Sequence, residues 1–236
     1  KGTEAFAISY FKDPAPFYLL GRIVIGAIPS VLNIYLTYRL ALRFFSRRAA
    51  VYSAVIMAVA FLNVINGHYI YSDNLLVMFI LLAYIALSTL IDRPLLKYYL
   101  LAALFTGMAI ATKYNAAILM ASFLTAHFTG ANRWPAMKLF YPGIPVFIAV
   151  VMLSFILCNP YSILDWRFFL ANITKDIWPE YTGWTHHIVY SVFQGIGVLP
   201  TILGIAGLSV AAARLGRKAF FLISFPVIFY LHLVFR

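Results

Sequence analysis

The residues best suited to chemistry crowd one short stretch, Asn66 to Asn74, where His68, Tyr69, Tyr71, Ser72 and Asp73 fall within a single turn between two apolar runs. A carboxylate at such a boundary can take a proton from a hydroxyl or amine, orient it, or bind a divalent cation such as Mg or Mn. It can equally cap a helix, because Ser72, Asp73 and Asn74 are all good capping types. His68 and Tyr69 have the reach to share a substrate with Asp73, or to anchor the turn at the membrane surface. Two basic residues join the set. Arg22 lies about one turn inside the first apolar run and Lys113 ends another; each can snorkel to headgroups or hold a phosphate, for which the planar guanidinium is well shaped. His186, His187 and Glu180 form a weaker metal candidate, since they lack a further spaced ligand.

The elements that position these residues must lie in a membrane. Of 236 residues, 64% are hydrophobic and only 11% charged, and the mean hydropathy is +0.90. A soluble domain carries about a quarter charged residues, and this chain has no room for a core that would hide the excess. Apolar runs at 17–42, 49–67, 74–91, 95–112, 115–128, 139–159, 190–213 and 219–235 predict an all-α, polytopic membrane helix bundle of about eight spans at about 20 residues each. The fifth run is short enough to be a half-helix. The single cysteine, Cys158, excludes a disulfide framework within the chain.

Charge sets the expected topology. Arg39, Arg43, Arg47, Arg48, Arg93, Lys97, Arg133, Lys138, Arg214, Arg217 and Lys218 fall on alternate connections, with Asp92 as the one acid among them. Glu4, Asp13, Asp73, Asp165, Asp176 and Glu180 fall on the others. The basic connections are expected in the cytoplasm, so the +11 net charge signals orientation and not a nucleic-acid partner. Residues 160–187 form an outer interfacial loop, in which 163–178 places Trp166, Phe169, Leu170, Ile173 and Ile177 on one face of an amphipathic surface helix. Asn172 opens a glycosylation tripeptide on that side. Lys1 begins a loop-like stretch with no leader pattern, and Arg236 directly follows an apolar run, so the chain is expected to be a piece of a longer membrane protein.

Taken in order, several segments resemble the GT-C glycosyltransferases that use a polyprenyl-phosphate sugar, a group including dolichyl-phosphate-mannose protein mannosyltransferases and lipid A aminoarabinose transferases. They are Tyr18 to Arg22, Tyr38 to Ala49, His68 and Tyr69 followed by Asp73, Gly107 to Tyr114, and Asn159 to Tyr161. The resemblance implies one transmembrane domain across residues 1–236, with an active site on the outer or luminal face of a plasma or endoplasmic reticulum membrane. It implies a polyprenyl-phosphate sugar donor and a glycan, lipid or protein acceptor. Asp73 matches the family's second outer acid, and Arg22 and Lys113 match basic positions. A first outer acid is also implied, and neither Glu4 nor Asp13 has a convincing context for it.

Sugar transfer is therefore the expected function, with no nucleotide site, since no Gly-rich phosphate loop is present. Two rivals stand beside it. A lipid or solute transporter would carry acids near mid-span, and none lies there. A non-catalytic membrane subunit would lack the first outer acid.

Overall fold

The computed structural model describes residues 2–130, 141–177, 189, 193 and 197–234, and within them every regular element is helical. Helices α1 (Gly2–Lys12) and α2 (Ala15–Gly21) lead through a π-helical turn at Arg22–Ala27 into α3 (Ile28–Ala41). Helices α4 (Arg47–Val59), α5 (Phe61–Gly67), α6 (Asp73–Asp92) and α7 (Leu96–Thr112) follow. A 3-10 turn, Tyr114–Ile118, opens α8 (Leu119–Thr129). The remaining helices are α9 (Gly143–Cys158), α10 (Tyr161–Leu164), α11 (Trp166–Ile177), α12 (Val198–Leu215) and α13 (Arg217–Val234).

Among the described residues, three helical stretches are long and apolar enough to cross a bilayer: Ala15–Ala41, Asp73–Asp92 and Val198–Leu215. Helices α4 and α5, bent by 53° at their junction, make a fourth if they count as one span. Among the described residues the expected eight are not reached on length and composition. Helices α7 and α9 are apolar, but their 17 and 16 residues rise only about 25 Å against a hydrocarbon core of about 30 Å. The short fifth run divides into the 3-10 turn and the 11 residues of α8. Outward-facing Leu199, Ile202, Leu203 and Ile205 on α12 give that helix a surface suited to lipid.

Small residues let the central helices approach closely. The core gathers Ala83, Leu87, Leu90, Tyr99, Ala102, Ala103, Phe123, Phe147, Val151 and Phe221. At Gly107 of α7 an added Cβ would lie 1.8 Å from Ser154 Oγ and 2.6 Å from the Val151 carbonyl on α9, so only glycine fits there. Such contacts replace the hydrophobic drive that helices lack inside lipid.

Polar knots fix the helices' relative positions. The break at Ala60 leaves α4 without continuous backbone pairing, and Asn63 repairs it by donating its amide to the Met57 carbonyl at 3.2 Å. The Asn63 carbonyl accepts from Ser30 Oγ (3.1 Å) and Asn74 Nδ2 (3.0 Å), and Asn33 Nδ2 donates to the Asn74 carbonyl (3.0 Å). A second knot joins Tyr84 on α6, Ser122 on α8 and Ser224 on α13: the Tyr84 and Ser122 hydroxyls are 2.9 Å apart, and Ser224 Oγ donates to Ser122 Oγ at 3.0 Å.

The described charges separate by end. Asp92, closing α6, pairs with Arg43 after α3 (3.3 Å) and with Lys218 at the start of α13 (2.7 Å). Asp73 lies at the opposite end of α6. With Cys158 replaced by serine, single cysteines at positions 47, 93 and 217 are expected to react with an impermeant maleimide from one side of sealed vesicles, and one at position 69 only from the other. Labelling of positions 47 and 69 from the same side would contradict this topology.

Candidate active site

Asp73 is the first residue of α6, where the helix dipole favours a negative charge. The residue before it, Ser72, makes no side-chain capping bond. Asn74 turns inward to the amide knot, and Asp73 Oδ1 accepts from Lys113 Nζ in a half-buried ion pair. The capping reading of this turn therefore gives way to a tertiary contact between residues 40 positions apart.

Lys113 is placed by the end of α7. Its backbone is extended (φ −149°, ψ 130°) after its N–H donates to the Ala109 carbonyl, which swings the side chain out before the 3-10 turn begins. Nζ also lies 5.4 Å from the ring centre of Tyr71, a cation–π contact. Tyr71 and Asp73 thus hold the ammonium from two sides.

Lys113 lines a groove of about 800 Å³. Its polar lining includes Lys113, Tyr114 and Asn115, and its apolar lining Ile110, Val151, Met152 and Phe155. Helix α11 borders it through Phe169 and Ile173, and α13 contributes His232. The Tyr114 ring is packed by Phe169 (centroids 5.7 Å apart) and Phe155 (6.4 Å), while its hydroxyl accepts from Asn159 Nδ2 at 3.5 Å. Asp165 Oδ1 accepts from the Phe168 N–H at 3.3 Å, which starts α11 beside the groove.

The other expected residues lie apart from this pair. Arg22 borders a separate open hollow of about 710 Å³ with Asp13, Pro14, Pro16, Tyr18 and Leu19. His68 Nδ1 lies 2.8 Å from the Val64 carbonyl, closing α5, and Tyr69 is exposed. The Tyr69 and Gly67 carbonyls press against Gly26, where an added Cβ would meet them at 2.7 and 2.8 Å. That close approach seats the 67–71 loop on the π-helical turn that begins at Arg22. Among the described residues no hydrogen bond or ion pair joins His68 or Tyr69 to Asp73.

The surroundings of Asp73 bear on the divalent cation expected there. Oδ1 already carries an ammonium, and no group of three or more His, Cys, Asp or Glu side chains converges there. Glu180, His186 and His187 lie outside the described residues. Sequence reasoning overlooked Asn33, Asn63 and His232. The two asparagines carried a signal, being polar residues inside apolar runs; His232 carried none, because its relevance depends on which helix α13 packs against.

The model of the dolichyl-phosphate-mannose-protein mannosyltransferase family matches residues 19–158. The match covers more than half of the chain, and the chain belongs to this family of GT-C-type glycosyltransferases. It includes Arg22, His68, Tyr69, Asp73 and Lys113 and stops before α11 and α13. No curated protein and no solved structure matches the chain.

The half-buried Asp73–Lys113 pair should appear as a coupling energy. In a double-mutant cycle of Asp73→Asn and Lys113→Met, followed by thermal or denaturant unfolding in detergent, the two changes are expected to be non-additive by about 1 kcal/mol. Simple additivity would mean that the pair does not hold the two helix ends together.

Proposed function

We propose that this member of the dolichyl-phosphate-mannose-protein mannosyltransferase family moves a sugar from a polyprenyl-phosphate donor to an acceptor hydroxyl or amine on the outer or luminal face of a membrane. The observation that carries this reading is a groove lined by Lys113 and by the apolar side chains of Ile110, Val151, Met152 and Phe155, the two chemistries that a lipid phosphate combines. In this reading the chain inserts as a multi-pass bundle, the shorter apolar helices α7, α8 and α9 packed among the longer ones, and the groove opens at the membrane surface. Within this reading α11 is interfacial and shields the groove from water, and residues 178–187 of the expected outer loop lie outside the described residues.

The reaction is a single displacement. The acceptor oxygen or nitrogen forms a bond to the anomeric carbon. The bond from that carbon to the phosphate oxygen breaks, and its electron pair leaves with the polyprenyl phosphate. The acceptor proton passes to a carboxylate, for which Asp73 is the candidate: Lys113 engages Oδ1, and Oδ2 accepts no hydrogen bond from the described residues. Lys113 stabilises charge on the phosphate. No step requires a nucleotide.

Asp73→Asn tests the assignment, because asparagine keeps the shape and loses the charge. Transfer from a polyprenyl-phosphate sugar by the full-length protein in liposomes is expected to fall about a hundred- to ten-thousand-fold, with the melting temperature lowered only by the few degrees that losing a pair worth about 1 kcal/mol produces. Full activity in Asp73→Asn would remove Asp73 from the chemistry. A loss matched by a proportionate drop in melting temperature would assign it to scaffolding.

A further inference from the structure

The hollow of about 710 Å³ beside Arg22 holds two opposite charges that do not meet. Asp13 and Arg22 both line it, yet every ion pair among the described residues uses Asp73 or Asp92. The Arg22 guanidinium makes no hydrogen bond among the described residues, and the Asp13 carboxylate accepts only from the Ala15 N–H, at Oδ1 (3.1 Å). The hairpin of α1 and α2 creates the hollow. Phe17 packs edge-on against Phe6 (centroids 5.2 Å apart) and Tyr10 (5.5 Å), and Tyr10 Oη donates to Tyr18 Oη at 3.2 Å. Pro14, Pro16 and Leu19 supply apolar lining. The span that follows exposes Leu20, Ile23 and Val24, a surface suited to lipid. Gly21 packs on Ile70, where an added Cβ would lie 2.6 Å from Cδ1, so the hollow sits at the Asp73 end of the bundle. The π-helical turn that begins at Arg22 is of a kind that recurs at functional sites.

We propose that this hollow binds a zwitterionic membrane phospholipid of the phosphatidylethanolamine class, its phosphate on Arg22 and its ammonium on Asp13. Opposite charges that line one hollow without pairing match a headgroup whose phosphate and ammonium are held apart by a short spacer. An anionic headgroup would satisfy Arg22 and be repelled by Asp13; a lone cation would do the reverse. Guanidinium can engage two phosphate oxygens at once, and the headgroup ammonium donates to the carboxylate in a charge-assisted hydrogen bond. The acyl chains lie along the exposed apolar face of the span. This lipid is a two-chain component of the bilayer and not the sugar donor. The inference therefore needs only membrane insertion, and it stands or falls apart from the sugar-transfer reading. Its consequence is local to the site's end. The 67–71 loop rests on Gly21 and Gly26, so a lipid held at Arg22 steadies the turn beneath that loop.

The experiment extracts the full-length protein from bilayers of equimolar phosphatidylethanolamine, phosphatidylcholine and phosphatidylglycerol and reads the retained lipid by native mass spectrometry, alongside a thermal melt of each variant. Phosphatidylethanolamine is expected to be retained about threefold to fivefold over phosphatidylcholine, whose quaternary ammonium has no N–H to donate to Asp13. Asp13→Asn keeps an oxygen for the Ala15 N–H and loses the charge. It is expected to abolish that preference and to raise retention of phosphatidylglycerol. Arg22→Gln is expected to lower retention of both zwitterionic lipids about threefold, with the melting temperature unchanged, because neither side chain is ion-paired within the described protein. Equal retention of phosphatidylethanolamine and phosphatidylcholine by the parent, or a preference for phosphatidylglycerol, would overturn the proposal. A phosphatidylethanolamine preference that survives both substitutions would put the lipid elsewhere and overturn it too. Should Arg22→Gln fail to fold, the ratio in Asp13→Asn decides alone. Added polyprenyl phosphate is expected not to displace the lipid; displacement would give the hollow to the donor and overturn the assignment.

Discussion

The break at Ala60 sets the terms for everything at the site's end of the bundle. Inside lipid, a helix that stops and restarts exposes backbone groups that no water can satisfy, each at several kcal/mol. Asn63 answers that demand at the Met57 carbonyl, and its own carbonyl gathers Ser30 and Asn74. The same bonds that repair α4–α5 therefore fix α3 beside α6, and the first residue of α6 is Asp73. The 67–71 loop is then seated on the π-helical turn by the close approach at Gly26. A backbone requirement of the membrane becomes a precise position for a carboxylate.

From that position follow the ion pair and the groove. Lys113 leaves α7 through an extended residue, and its ammonium meets Asp73 and the face of Tyr71. The next residue, Tyr114, is clamped by Phe155 and Phe169, which brings α11 over the same hollow. Consecutive residues thus face different partners, Lys113 meeting Asp73 and Tyr71 and Tyr114 meeting Phe155 and Phe169. The opposite end of the bundle uses charge differently. There Asp92 draws in Arg43 and Lys218 and ties three helix ends together, a scaffold with no groove-lining residue in it.

The membrane class, the helical architecture and the separation of charged ends were legible in the sequence, because apolar runs and alternating basic connections follow directly from the solvent. Asp73 and Lys113 were legible as candidates, since charges at the edge of apolar runs demand an explanation. Their pairing was not, because it depends on how α6 and α7 pack and on the extended backbone at Lys113. Which hollow each residue borders was not legible either: Arg22 and Lys113 line different hollows, and His68 closes α5 on the Val64 carbonyl. Span number was the least secure reading. Hydropathy marks where apolar residues lie, but the break at Ala60, the 3-10 turn at Tyr114 and the shortness of α7 and α9 belong to local backbone geometry.

The central claim is that the hollow beside Lys113, and no other surface, receives the polyprenyl phosphate. A polyprenyl phosphate bearing a photoreactive diazirine near its first isoprene unit, irradiated with the full-length protein and mapped by mass spectrometry, tests it most directly. The label should fall on the segments containing Val151, Met152 and Phe155, and excess unlabelled polyprenyl phosphate should suppress it. Competable labelling confined to the lipid-facing surface of Val198–Leu215, or to the hollow beside Arg22, would contradict the account.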